Sequence, residues 1–261
     1  MEKEEATLAG IRMADDTNLD SIISRKPKRK RQENSETLNI SNFPPHFIAL
    51  KKDFDKDRGE YSTEKMSIEL TLQQSSNLTA NQKDEILDLV KINMLDLYDV
   101  NWGWNEAQKS EELFDQNACY LLGRHKDESS VISMVHFRVV DENEEEDEQQ
   151  LPEISELDST EPPSWVLYIY EIQVAEGVKR QGVGSRMMAC LEELAMEMGL
   201  NKMVLTVFKN NTSAMRFYCE KLGFQIDDNS PSKCGYNDEC YEILSKHIHT
   251  TRSKISKQSA I

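Results

Sequence analysis

The ten residues from Trp165 to Val174 are apolar or aromatic except for Glu171 and Gln173. A run this continuous reads as a β-strand buried on both faces. It passes through Ala175-Glu176-Gly177-Val178 into Lys179-Arg180-Gln181-Gly182-Val183-Gly184. A helix is then predicted from about Gly184 to Met198, with Met187, Leu191, Leu194, Ala195 and Met198 on one face. Glycines at a helix start let backbone amides come close to an anion. Together with the helix dipole, those unpaired N–H groups favour a pyrophosphate. Lys179 and Arg180 add positive charge at the same place. The dinucleotide fingerprint G-x-G-x-x-G fails because Met187 holds its last position, which disfavours a Rossmann nucleotide site.

Upstream, Met66, Ile68, Leu70 and Leu72 alternate within 65–73 and predict a strand with one buried face. Thr79 can cap a helix reaching about Tyr98, whose Ile86, Leu89, Val90, Met94 and Leu97 recur at the spacing of one face. Asn101-Trp102-Gly103-Trp104-Asn105 breaks that helix, and a short helical stretch through Phe114 follows. Of the two tryptophans, at least one is expected to plug the core, leaving the other to line a groove. Strands are predicted near 118–124 and 131–140. Downstream, 202–208 reads as a strand and 211–221 as a helix.

The flanks differ from this core. Residues 1–43 are polar and aperiodic, and predict a disordered basic extension. Their run Arg25-Lys26-Pro27-Lys28-Arg29-Lys30-Arg31 reads as a nuclear-import address or as a solvated charged segment. Residues 141–164 form an acidic, proline-ending insertion, either a solvated loop without a partner or an electrostatic lure for a basic peptide. Residues 246–261 are basic and patternless, and are expected to be a flexible tail. At 261 residues, one domain over 44–245 with extensions accounts for the length.

The net charge of −16 argues against direct nucleic-acid binding and favours a cationic partner. No run approaches the roughly 18 apolar residues of a membrane span, so a soluble intracellular protein is expected, with no membrane association. Cys119, Cys190, Cys219, Cys234 and Cys240 are odd in number and form no C-x-x-C pair, so reduced thiols and no metal site are expected.

The loop 179–184 is similar to the acetyl-CoA signature [Q/R]-x-x-G-x-[G/A] of the GNAT acetyltransferases. Asn211 to Phe224 resembles their N-x-x-A-x-x-F/Y-Y followed by L-G-F. Several further segments resemble the NatD family. They are Trp102-Gly103-Trp104, Tyr170-Glu171-Ile172-Gln173, Leu205-Thr206-Val207-Phe208-Lys209, Ile226-Asp227-Asp228 with Ser230-Pro231-Ser232, and Tyr241-Glu242-Ile243-Leu244-Ser245. Two departures stand out: Lys179 replaces Gln or Arg, and the acidic loop is longer than is usual in that family.

The resemblance implies an α/β (α+β) GNAT fold, in which helices flank a mixed, mostly antiparallel central sheet splayed beside Tyr170. It implies acetyl-CoA as cosubstrate and the free amine of tails beginning Ser-Gly-Arg-Gly, as in histones 2A and 4, as acceptor. The basic run adds the nucleus to the cytoplasm as an expected compartment, and a monomer is expected. The resemblance places cofactor contacts at Ile172, Gln173, Val174, Lys179, Arg180, Gln181, Gly182, Val183, Gly184 and Asn211. Tyr98, Trp102, Tyr170, Thr206 and Tyr241 would meet the tail.

Glu171, a charged residue in a buried strand, is the leading general base, unless it only pairs with a neighbouring cation. Tyr170 and Tyr241 are both open as acid toward the departing thiolate. On an ideal pleat Tyr170 and Glu171 face opposite ways, so their joint use requires a bulge or splay. Asp141 and Glu142, just after a strand, are the nearest acidic residues for a tail arginine. Two rival readings remain: a GNAT enzyme acting on lysine side chains, and an inactive acidic histone-binding protein.

Overall fold

The computed structural model describes residues 60–62, 67–126, 128–142 and 164–248. The basic extension 1–43, most of the acidic insertion, Met66 and residues 249–261 lie outside them. Eight strands form one sheet: β1 (Glu60–Ser62), β2 (Ser67–Gln74), β3 (Cys119–His125), β4 (Val131–Asp141), β5 (Trp165–Val174), β6 (Lys202–Phe208), β7 (Gln225–Ile226) and β8 (Tyr241–His247). Their order is β1-β2-β3-β4-β5-β6-β8-β7. Every pairing is antiparallel except β5 with β6. That parallel pair requires a crossover connection, which the helix after the glycine loop supplies.

Helix α1 (Ala80–Asn101) begins with a capping box: the Thr79 side chain accepts from Gln82 N, and Gln82 Oε1 accepts from Thr79 N. It runs one turn past the predicted end. Gly103, at φ 78, then turns the chain into α2 (Glu106–Leu113), capped by Asn105. Helix α3 (Val183–Glu197) follows the glycine loop, and α4 (Thr212–Arg216) follows β6.

Alternating residues of β3 show how the sheet is covered. Cys119 and Leu121 belong to a core with Phe137, Leu167, Ile169, Met187, Leu191 and Leu194, beneath α3. Tyr120 and Leu122 belong to a second core with Ile86, Val90, Leu113 and Met134, beneath α1 and α2. Both faces are therefore occupied, and the fold is the mixed, mostly antiparallel sheet flanked by helices that the resemblance implied.

Two expectations change. The helix predicted over 211–221 stops as an α-helix at Arg216, and Phe217–Lys221 forms a π turn in which Leu222 N bonds the Phe217 carbonyl. The wider turn lets the adjacent Phe217 and Tyr218 both reach the same core. At the other end, β8 continues to His247, and Ile248 is buried with its N–H on the Asn201 carbonyl. The sheet thus extends past the expected boundary at 245.

Candidate functional site

The pairing of β5 changes at Tyr170. Ile169 sits opposite Phe137 on β4, whereas Glu171 sits opposite His136, so Tyr170 is the extra residue of a β-bulge. On its other side β5 pairs with β6 only from Leu167/Met203 to Ile169/Leu205. Past that point Glu171–Val174 and Thr206–Phe208 separate. This is the re-aiming that joint use of Tyr170 and Glu171 required.

Glu171 is buried and fully engaged. Lys109 Nζ lies 2.5 Å from Oε1, the Tyr98 hydroxyl donates to Oε1 at 3.3 Å, and Gln173 Nε2 donates to Oε2 at 2.8 Å. The sequence reading missed Lys109. It stands four residues before the buried Leu113, on the same face of α2, and that spacing is the signal that could have found it. Burial opposes its ammonium charge, but Glu171, Glu112 and Tyr98 outweigh this and hold its pKa well above the ordinary value. Burial, followed by the Glu171 charge, pushes the Tyr98 phenol well above its usual range.

From Glu171 a polar chain runs to the glycine loop. Asn93 Nδ2 donates to Gln173 Oε1 at 3.0 Å and to the Val174 carbonyl at 3.1 Å, and Lys179 Nζ donates to Asn93 Oδ1 at 3.0 Å. Lys179 also pairs with Glu176 at 2.7 Å.

The aromatic residues converge in two groups. Trp102 packs edge-on against Phe208 at 4.5 Å, Tyr241 at 5.6 Å and Tyr98 at 6.0 Å. Trp104 joins the α1-side core. Phe208 was not singled out from sequence. In the second group the Tyr170 ring stacks on His136 at 4.8 Å, with Arg138 4.6 Å above it and Tyr168 4.9 Å beside it. Thr206 shares a 2.5 Å hydrogen bond with Tyr168. Burial, then Arg138 and Lys109, lowers the His136 pKa well below its usual value, so its ring is neutral. The Tyr170 hydroxyl is buried and has no hydrogen-bond partner among the described residues. Burial, then Glu239 and Cys240, raises the Tyr241 phenol.

At the loop, Gly182 caps α3 at φ 89, a conformation that favours glycine, and no side chain caps the first turn. Arg180 is the single non-glycine residue with positive φ among the described residues, at 62°. Its guanidinium donates to Ser213 Oγ at 3.2 Å, and Gln181 Nε2 donates to the Gly177 carbonyl. A Cβ on Gly184 would touch Phe217 and Ile172, so helix start, strand and π turn meet there. The uncapped amides, with Arg180 and Lys179 nearby, suit an anionic group. Asn211 caps α4 through its side-chain oxygen.

The model of the acetyltransferase (GNAT) family matches residues 85–224, more than half of the chain. This chain belongs to the GNAT family. It is 34% identical over 73 residues to the uncharacterized N-acetyltransferase YycN of Bacillus subtilis, a stretch covering 28% of this chain and 46% of that protein. The GNAT chain thus matches less than half the length of that relative. Among solved structures, Ard1 from Thermoplasma volcanium has 16% identity and a TM-score of 0.43, over 69% of this chain and 98% of that one. Arabidopsis thaliana NAA60 in complex with a bisubstrate analogue has 12% identity and a TM-score of 0.47, over 69% and 99%.

Asp141 and Glu142 stand at the far end of β4 in this GNAT sheet. Asp141 pairs with Trp165, its Oδ1 accepts from Ser164 N, and Glu142 is bound to Lys202. The register places them several residues from Tyr170 along β5, and both hold the strand end. Among the described residues the five cysteines are free, and no cluster of three potential metal ligands occurs.

Proposed function

We propose that this chain transfers acetyl from acetyl-CoA to the free N-terminal amine of protein tails, acting as a monomer on histones 2A and 4 in the nucleus and cytoplasm. The observation that carries the reading is the separation of β5 from β6 beside Tyr170. It leaves a strand edge at Ile172–Val174 next to an uncapped, glycine-started helix on one side, and the residues Glu171, Tyr98, Trp102, Thr206 and Tyr241 on the other. The uncapped amides of α3 with Arg180 suit the pyrophosphate, and the open strand edge suits the amide-bearing pantetheine arm.

The amine attacks the thioester carbon, the C–S bond breaks, and one amine proton must leave. Glu171 receives it along the Tyr98 O–H···Oε1 bond or through a water. A terminal amine, with a reference pKa of about 7.7 to 8.0 against about 10.4 for lysine, asks little of that base. Tyr170 suits the acid role better than Tyr241, because a buried hydroxyl without a partner is ready to donate to the thiolate. The histone preference is supported by the NatD-like segments and by the net charge of −16, which suits a basic tail. The basic run 25–31 supports the nuclear address.

Single-turnover mass spectrometry with free and N-blocked Ser-Gly-Arg-Gly peptides tests this reading. Modification of the free form alone is expected, with Glu171→Gln slower by about 10²-fold or more. Equal modification of both forms would replace the reading with lysine acetylation, and no modification of either would leave a binding protein.

A further inference from the structure

Lys109 is 3% exposed, yet it lies on a short helix that is otherwise mostly hydrophilic. Its ammonium has three N–H donors and meets three acceptors: Glu171 Oε1 at 2.5 Å, Glu112 Oε1 at 2.5 Å and the Tyr98 hydroxyl at 2.6 Å. These acceptors come from β5, α2 and α1, so one nitrogen ties together three elements around the splayed strand. Without it, Glu171 would keep only the neutral Gln173 amide and the long Tyr98 contact. Removing one partner of a buried ion pair leaves the other without its main contact and free to re-aim.

We propose that Lys109 is a positioning residue for acetyl transfer: its ammonium holds the Glu171 carboxylate aimed at the strand separation, and fixes the Tyr98 hydroxyl against it. The proposal rests on Glu171 being the base in the reading above. Lys109 acts through Glu171 and touches neither substrate. Its point-like, three-donor head matches three convergent acceptors, which the planar fork of an arginine does not.

The test is a double-mutant cycle on the full chain, with Lys109→Met, Glu171→Gln and the pair together, measured on the amine that the wild-type chain acetylates. The expected result for Lys109→Met is a kcat lower by about 10²-fold, with acetyl-CoA affinity and the amine KM within about threefold of wild type. The double variant should be no more than about twofold slower than Glu171→Gln alone, because both substitutions remove one function. A merely structural Lys109 would loosen the segment carrying Trp102, and KM would rise instead. Multiplying losses, or an unchanged kcat in Lys109→Met, overturns the proposal while leaving the acetyl-transfer reading intact. A wild-type chain that acetylates no amine overturns that reading and this one with it. If Lys109→Met does not fold, Lys109→Arg carries the test. A kcat about tenfold down at unchanged KM supports the role of the three-donor head, and a rate equal to wild type overturns it.

Discussion

Two lysines each sit between two carboxylates, at opposite ends of β5 and its neighbours. Lys109 joins Glu171 and Glu112, whereas Lys202 joins Asp227 at 2.9 Å and Glu142. The Lys109–Glu171 pair is 3% and 5% exposed; Lys202 is 13% exposed and Glu142 23%. Lys202 ties the end of β6 to the turns after β4 and β7, where solvent reaches part of the group. Lys109 lies beside the strand separation, where one partner, Glu171, is the proposed base. The same charge pattern therefore closes the sheet in one place and, on the proposed function, supports the transfer chemistry in the other. Burial and the neighbouring backbone make the difference.

The largest break in this comparison is expected from Lys109→Met, which leaves Glu171 buried without a cation. Unfolding free energy should fall by about 3–5 kcal/mol in denaturant titrations. A loss no greater than that of Lys202→Met would show that burial does not separate the two groups.

Lys202→Met should lose about 1–3 kcal/mol and leave the acetylation rate unchanged, because Asp227 keeps its other hydrogen bonds. Its pH dependence sharpens the contrast. Burial pulls the Asp227 carboxyl up, but Lys202, Ser245 and the Asn229 N–H outweigh it and hold it below 3.8. A depressed carboxyl stabilises above its unfolded pKa and loses that contribution as pH falls through the folded value. The wild-type advantage over Lys202→Met should therefore be full at neutral pH and shrink below about pH 4.

Gly182→Ala places a side chain at φ 89 and should cost about 1 kcal/mol, together with weaker acetyl-CoA binding in calorimetry. Unchanged affinity would detach the helix start from the cofactor. The exposed Lys91–Glu106 pair is the lower limit of the series, and Lys91→Ala should leave the unfolding midpoint unmoved.

Much of this was legible in the chain. The Thr79 cap, the helix break within Asn101–Asn105 and the strand from Trp165 follow from local patterns, and the structure places them within a few residues. The π turn at Phe217 was not legible, because a helix that widens by one residue keeps its local propensity and changes only its packing. Lys109 was passed over because α2 is short and polar, so one buried face of Lys109 and Leu113 stands out weakly. Phe208 ends a strand that already read as core, and nothing local shows that its ring meets Trp102.

The sequence by itself determined the strands β2 to β6, the helices α1 to α3, most of the faces they bury, and that an anion-suited helix start follows the central strand. Those properties depend on side-chain periodicity and backbone preference within a few residues. Only the tertiary structure decided that Tyr170 bulges out of β5, that Lys109 meets Glu171 across 62 positions of sequence, and that Tyr98, Trp102 and Tyr241 share one cluster. Each of these depends on how the sheet and helices pack, because a bulge is a mismatch between two strands and a buried ion pair needs both of its elements in place.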